Sequence, residues 1–193
     1  MENKKSIGSL FMGEWNTMTV VGIAIGAALF GVLMRYGGIT VFTNTSFTTA
    51  MLVTVVVGAL FGPIPAMLAA GMGNVVADLI GGWGFWFDWS IGNAVLGLFI
   101  GLLPVYGARI KDGIFEVKHM IIYAILVVVG NAVAFVIVTP IMTWLLISGE
   151  LTITFMQSFA SGIANSVMLI VVGIPVLKLL AARYARGNNL TKE

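Results

Sequence analysis

Two carboxylates and a set of amides stand in stretches otherwise almost free of charge, and these are the residues that could do chemistry. Between Thr40 and Ala108 the only charged side chains are Asp78 and Asp88, and between His119 and Leu177 the only one is Glu150. Asp78 follows Asn74 by four residues, which places both on one helix face. It admits two readings: a proton or cation site, or a helix-end carboxylate that reaches the outer interface or pairs with a donor such as Trp or Asn. Asp88 lies among Trp83, Trp86 and Trp89, where aromatic faces and a carboxylate can grip a ring-bearing ligand by stacking and hydrogen bonding. The boundary between lipid and water also selects such a cluster. Further along, Gln157, Ser161 and Asn165 recur every four residues, with Ser158, Gly162 and Ser166 alongside, and Asn93 and Asn131 stand in the two preceding apolar runs. Three amide-bearing faces can line one polar cavity. They can equally be packing surfaces, since Asn and Ser hydrogen bonds between membrane helices add only about 1 kcal/mol.

Other chemistries are excluded by what is missing. No Gly-x-x-x-x-Gly-Lys phosphate loop, His-Glu-x-x-His pair, Gly-x-Ser-x-Gly elbow or dinucleotide fingerprint is present. The chain therefore cannot hydrolyse ATP by itself and is not expected to be an enzyme. With no cysteine and one histidine, His119, a disulfide framework is impossible, and neither a metal site nor a cofactor is expected. His119, beside Lys118, reads as a loop residue rather than a base. The net charge of +2 is spread along the chain, without the basic stripe that nucleic acid requires.

The elements that position the polar residues are membrane spans. Of 193 residues, 59% are hydrophobic and 9% charged, whereas a soluble domain carries about a quarter charged residues. A bilayer core of about 30 Å takes roughly 20 apolar helical residues. Charges, glycines and prolines divide the chain into six such runs, at about 18–35, 47–61, 64–80, 90–108, 119–147 and 151–177, followed by the tail 178–193. The run at 47–61 is short, and 119–147 is long enough to tilt or to kink at Pro140. Residues Ile7 to Thr17, with Leu10, Phe11 and Trp15, can lie along the membrane surface. The expected fold is thus an all-α integral membrane bundle of six transmembrane helices in a single domain, 1–193.

Loop charges orient that bundle. Six crossings gather Lys4, Lys5, Arg109, Lys111, Lys118, Lys178, Arg183, Arg186 and Lys192 on one side, which is nine of the ten basic residues. By the positive-inside rule that side is cytoplasmic, and both termini lie there. Arg35, Asp88, Glu150 and the aromatic loop fall outside. The first span carries Gly22, Ala24, Gly26, Ala27, Ala28 and Gly31, small residues four apart on about two faces. One face can pack within the bundle and the other can dock a partner helix.

With these residues assembled, the chain resembles the substrate-binding S components of energy-coupling factor (ECF) transporters, in particular the riboflavin-transporter-like branch. The likeness rests on Ala24-x-x-x-Ala28, on Asn44-Thr-Ser-Phe-Thr-Thr, on Val57-Gly-Ala-Leu-Phe-Gly62-Pro63, on Gly71 through Ala77-Asp78 to Gly82, and on Trp89-Ser-Ile-Gly92-Asn93 through Gly101. It spans most of residues 17 to 183. The resemblance implies a prokaryotic plasma-membrane protein that binds a vitamin-like small molecule from outside, riboflavin or cobalamin being the expected substrates. It further implies docking through the first three helices onto a transmembrane T subunit carrying two ATPases, with Ala24 and Ala28 on the docking surface and residues 37–46 as lid. The substrate pocket is expected among Asn44, Trp83, Trp86, Asp88, Trp89, Asn93, Asn131, Gln157, Ser161 and Asn165, chosen from polarity and position. The rival from another class is a self-sufficient carrier or channel coupled to an ion gradient through Asp78.

Overall fold

The computed structural model describes residues 7–42 and 45–190. A short helix α1 (Ile7–Met12) ends at Gly13, whose φ of +74° turns the chain toward Asn16. The Asn16 side chain caps α2 (Thr17–Tyr36) by accepting from the Thr19 N–H at 2.9 Å. Next comes a two-stranded antiparallel hairpin, β1 (Gly38–Phe42) and β2 (Thr45–Thr48), which pairs Gly38 with Thr48 and shifts register between Thr40 and Phe42. The hairpin interrupts an otherwise helical fold. The Thr-rich polar link favours extended pairing over helix, and its base is tied down where Thr48 Oγ1 donates to the Leu33 carbonyl and Thr49 Oγ1 to that of Gly37.

The hairpin delays the next helix. α3 (Ala50–Phe61) has 12 residues rather than the span expected from residue 47, about 18 Å at 1.5 Å per residue. Gly62, at φ +97°, reverses the chain into α4 (Pro63–Gly81), where both prolines fall in the first turn and cost no intrahelical hydrogen bond. α5 (Phe87–Gly101) follows the aromatic loop. The next loop, which contains Arg109 and Lys111, leads into α6 (Val117–Asn131).

Two prolines then shape the last pair of rods. α6 runs without interruption through a π-helical segment, Ala132–Val138, into α7 (Thr139–Ile147), and α8 (Leu151–Met168) runs through Leu169–Gly173 into α9 (Ile174–Leu190). Pro140 and Pro175 follow these wide turns. Proline supplies no N–H and crowds the carbonyl four residues back, and a wide turn relieves both conflicts without breaking the rod. The Tyr123 hydroxyl reaches across from α6 and donates to the Leu169 carbonyl at 3.1 Å. The tail expected after residue 177 is helical to Leu190.

Among the described residues, five helical stretches are long and apolar enough to cross a membrane: Thr17–Tyr36, Pro63–Gly81, Phe87–Tyr106, Val117–Ile147 and Leu151–Gly187. Ala50–Phe61 is apolar but shorter. Their outer faces carry large apolar residues at helical spacing, as at Ile121, Ile125 and Val128 or at Ile163, Val167 and Val171, which suits lipid rather than water. Inside, Phe30, Leu96, Tyr123, Phe135 and Leu169 form the core. Close packing depends on missing side chains: a Cβ on Gly101 would stand 2.5 Å from the Pro63 Cα, and one on Gly58 2.9 Å from the Gly101 Cα.

His119 also differs from expectation. It is buried in the first turn of α6, where its Nδ1 accepts from the Glu116 N–H at 3.0 Å while the Glu116 side chain caps the His119 N–H. The exposed Glu116 carboxyl is held below the usual carboxylate range by its hydrogen bond from the Lys118 ammonium. His119 is therefore a helix-capping residue.

Candidate functional site

α4 ends and α5 begins at the same end of the bundle, and a polar chain fastens them there. Gly82, in the left-handed region at φ +65°, caps α4 and releases the chain into the aromatic loop. Asp78, 5% exposed, lies one turn inside. Its Oδ2 accepts from the Trp86 backbone N–H at 2.9 Å and from Asn74 Nδ2 at 3.4 Å. Asn74 also donates to Ser90 Oγ at 3.0 Å and accepts from Asn93 Nδ2 at 2.8 Å. This is the geometry of a helix-end carboxylate paired with a backbone N–H and an Asn amide.

The same network relocates Asn93. Its amide donates into the contact with α4, although its Oδ1 is buried without a partner among the described residues. Asn131 turns its amide to the Val127 carbonyl of its own helix at 2.9 Å, beside Gly162 of α8, and its Oδ1 likewise lacks a partner. Asn165 is buried, while Gln157 and Ser161 stand half-buried on the flank of α8; Ser158 and Thr154 occupy its inward face. No hydrogen bond links the amides of Asn93, Asn131, Gln157 and Asn165 to one another among the described residues. Their common helix period was readable from spacing, but which flank faces inward depends on neighbouring helices.

A different cluster does form, around Asp88. Its carboxyl is 0% exposed in the first turn of α5, and Thr143 Oγ1 of α7 donates to Oδ2. One turn along each helix, Gly92 faces Thr139, and a Cβ on Gly92 would collide with the Thr139 hydroxyl. Asp88 Oδ1 and Thr139 Oγ1 have no hydrogen-bond partner among the described residues. Trp89, half-buried, packs its ring on Phe135 of the π segment at 5.9 Å between centroids. Thr139 and Thr143 were absent from the sequence-derived site, although two threonines four apart on either side of a proline in an apolar run are a readable signal.

Trp83 and Trp86 are largely exposed; Trp86 Nε1 donates to the Trp83 carbonyl at 3.0 Å, and the Arg35 guanidinium stands 5.5 Å from the Trp83 ring. β2 packs against α8 nearby. Asn44 lies outside the described residues. At the other end of α4 and α5, a cavity of about 610 Å³ opens between Gly13, Phe61, Gly62, Pro104 and Ile110, remote from Asp88.

The small residues of α2 divide as their spacing suggests. Gly22 packs on Phe61, Gly26 on Val57 and Ala69, and Gly31 on Val76, whereas Ala24 and Ala28 are exposed beside Val21, Ile25 and Val32.

Fold and site together define a multi-span helical membrane protein that encloses unsatisfied polar atoms near one end. Comparison with known proteins specifies it further. The sequence matches the family described as "ECF-type riboflavin transporter, S component" over residues 14–182, and the chain belongs to that family. A protein named UPF0397 from Aliivibrio fischeri (strain MJ11) is 36% identical over 176 residues, covering 90% of this chain and 96% of the relative. A UPF0397 protein from Streptococcus pneumoniae (strain Hungary19A-6) is 30% identical over 174 residues, covering 90% and 95%. Among solved structures, the crystal structure of FolT bound with folic acid matches with a TM-score of 0.59 at 14% identity, covering 87% of this chain and 95% of that one. At that identity the likeness is one of fold.

Proposed function

We propose that this chain captures a vitamin-like small molecule outside the cell and delivers it through a T subunit and two ATPase subunits. The observation that carries this reading is the set of buried oxygens without partners among the described residues at Asp88 and Thr139, beside the Trp89–Phe135 ring pair. A buried polar atom without a partner costs about 1–3 kcal/mol, a cost that a bound ligand can offset. Family membership and the fold shared with FolT support the same reading.

In this account the chain crosses the prokaryotic plasma membrane six times with both termini inside, α3 being the shortened second crossing. Asp88, Trp89, Asn131 and Asn165 contact substrate from the interior, and Trp83, Trp86, Asn93, Gln157, Ser161 and Asn44 complete or cover the site. The hairpin and the aromatic loop open to admit ligand. The exposed Ala24–Ala28 face docks on the T subunit. Riboflavin and cobalamin are the first substrates to test. The ion-coupled alternative loses support because Asp78 Oδ2 is already engaged by the Trp86 N–H, which fastens the aromatic loop, and by Asn74 of its own helix.

Mass spectrometry of small molecules that copurify with the chain, followed by tryptophan-fluorescence titration, tests the proposal. A vitamin-sized compound bound in stoichiometric amount is expected. A purified, correctly folded chain that carries no compound and responds to no vitamin overturns it.

A further inference from the structure

We infer that the substrate presents an N–H edge to Asp88, as an amino group or ring N–H on a flat nitrogen heterocycle, and is not held there through a carboxylate of its own. This rests on the capture reading above and narrows it to a chemical class.

Asp88 is fully buried, and among the described residues it forms no ion pair; one hydroxyl, that of Thr143, serves its Oδ2 and nothing serves Oδ1. The N-terminal dipole of α5 offsets part of a carboxylate charge in the first turn, but it supplies no hydrogen to Oδ1. An ionised carboxyl in an apolar interior needs a donor or a cation. One helical turn away Thr139 Oγ1 is also unmet among the described residues, held close against the α5 backbone because Gly92 carries no Cβ. Asn131 adds a third buried acceptor, and its orientation is fixed because its amide nitrogen is committed to the Val127 carbonyl.

Two of these atoms are acceptors only, and the third is a hydroxyl able to accept. A ligand carboxylate would bring more acceptors and a second negative charge against Asp88. An amino or ring N–H brings the missing donors, and a protonated nitrogen would also compensate the charge. Trp89 and Phe135 supply flat apolar walls beside them, which suits a ring. A bare monovalent cation could also use oxygen ligands, but it would leave that aromatic wall without a role.

The test uses the full chain in lipid nanodiscs, with Asp88→Asn as the isosteric variant and Thr139→Val as a second that leaves the carboxyl in place. Thermal midpoint and tryptophan fluorescence are read against thiamine and riboflavin, which carry amino or ring N–H edges, and against lipoate and nicotinate, which carry carboxylates and no N–H. The expected result is tighter binding of an N–H-edged compound, weakened about tenfold or more by Asp88→Asn and less by Thr139→Val. The ligand-free Asp88→Asn protein should melt close to the parent, because an amide oxygen in the same place still accepts from the Thr143 hydroxyl. Tightest binding by a carboxylate compound, or an unchanged ranking in Asp88→Asn, overturns the N–H assignment and leaves the capture reading standing. A midpoint that rises with sodium but not potassium chloride, and loses that rise in Asp88→Asn, overturns it in favour of a cation site. No response to any of the four compounds, cobalamin or folate overturns both.

Discussion

Replacing Asp78 with Asn and with Ala separates a fastening role from an ion-coupling one. In the parent, Asp78 Oδ2 is the acceptor for the Trp86 N–H at 2.9 Å and for Asn74 Nδ2 at 3.4 Å. Alanine leaves the Trp86 N–H without its acceptor. Asn74 loses only its longer contact, since Ser90 and Asn93 still hold it. The expected loss is therefore dominated by one donor, about 1–3 kcal/mol. Asparagine keeps a carbonyl oxygen in place and should retain most of the bond, so the two variants should differ by roughly 1–2 kcal/mol, or about 5- to 30-fold in the population with a docked loop. Substituting Trp15 and Trp144 by Phe leaves Trp83, Trp86 and Trp89 as the only tryptophans. Acrylamide quenching of that fluorescence should then report greater loop exposure in Asp78→Ala and near-parental exposure in Asp78→Asn, with thermal midpoints in the same order. Equal loop exposure in both variants refutes the fastening argument. So does loss of uptake in Asp78→Asn with the loop still docked, because only the ionisable group has then been removed.

Other expected outcomes follow from single contacts. Gly101→Ala forces a Cβ to within 2.5 Å of the Pro63 backbone and should cost about 1–3 kcal/mol, read as a lowered thermal midpoint in micelles; an unchanged midpoint contradicts the packing described. Ala24→Trp and Ala28→Trp, on an exposed face, should abolish uptake while leaving ligand affinity within about twofold, within the usual effect of surface changes; loss of binding as well removes the case for a separate docking face. Tyr123→Phe deletes the hydrogen bond to the Leu169 carbonyl at the second wide turn and should destabilise by about 1 kcal/mol, seen as faster amide exchange around residues 169–173.

Much of the helical scaffold was legible because a bilayer demands long apolar runs, and Gly62, Gly82 and the paired prolines stop or turn them for backbone reasons visible in the sequence. The hairpin was not, because a ten-residue polar link has no period strong enough to tell paired strands from a loop. Pro140 indicated a disturbance in the fifth apolar run, but whether a helix kinks or widens depends on what packs beside it; for the second wide turn, the Tyr123 hydroxyl lies 46 residues away in sequence. The site was legible residue by residue and less so as an arrangement. Asp88 and Trp89 stand out by type, yet the partners of Asp88 are threonines, which an apolar helix tolerates without signalling a role. Asn93 and Asn131 stand out equally, and nothing local indicates that one turns to α4 and the other to its own backbone. Ala24 and Ala28 differ from Gly22 and Gly26 only in helix phase, which tertiary contact with α3 and α4 resolves.

Uptake of the copurifying compound into cells that express this chain, with and without a T subunit and its two ATPases, tests the central claim most directly. The account predicts binding by the chain alone and accumulation only when all partner subunits are present, with an ionophore having no effect in ATP-replete cells. Accumulation by the chain alone, abolished by the ionophore, would contradict it.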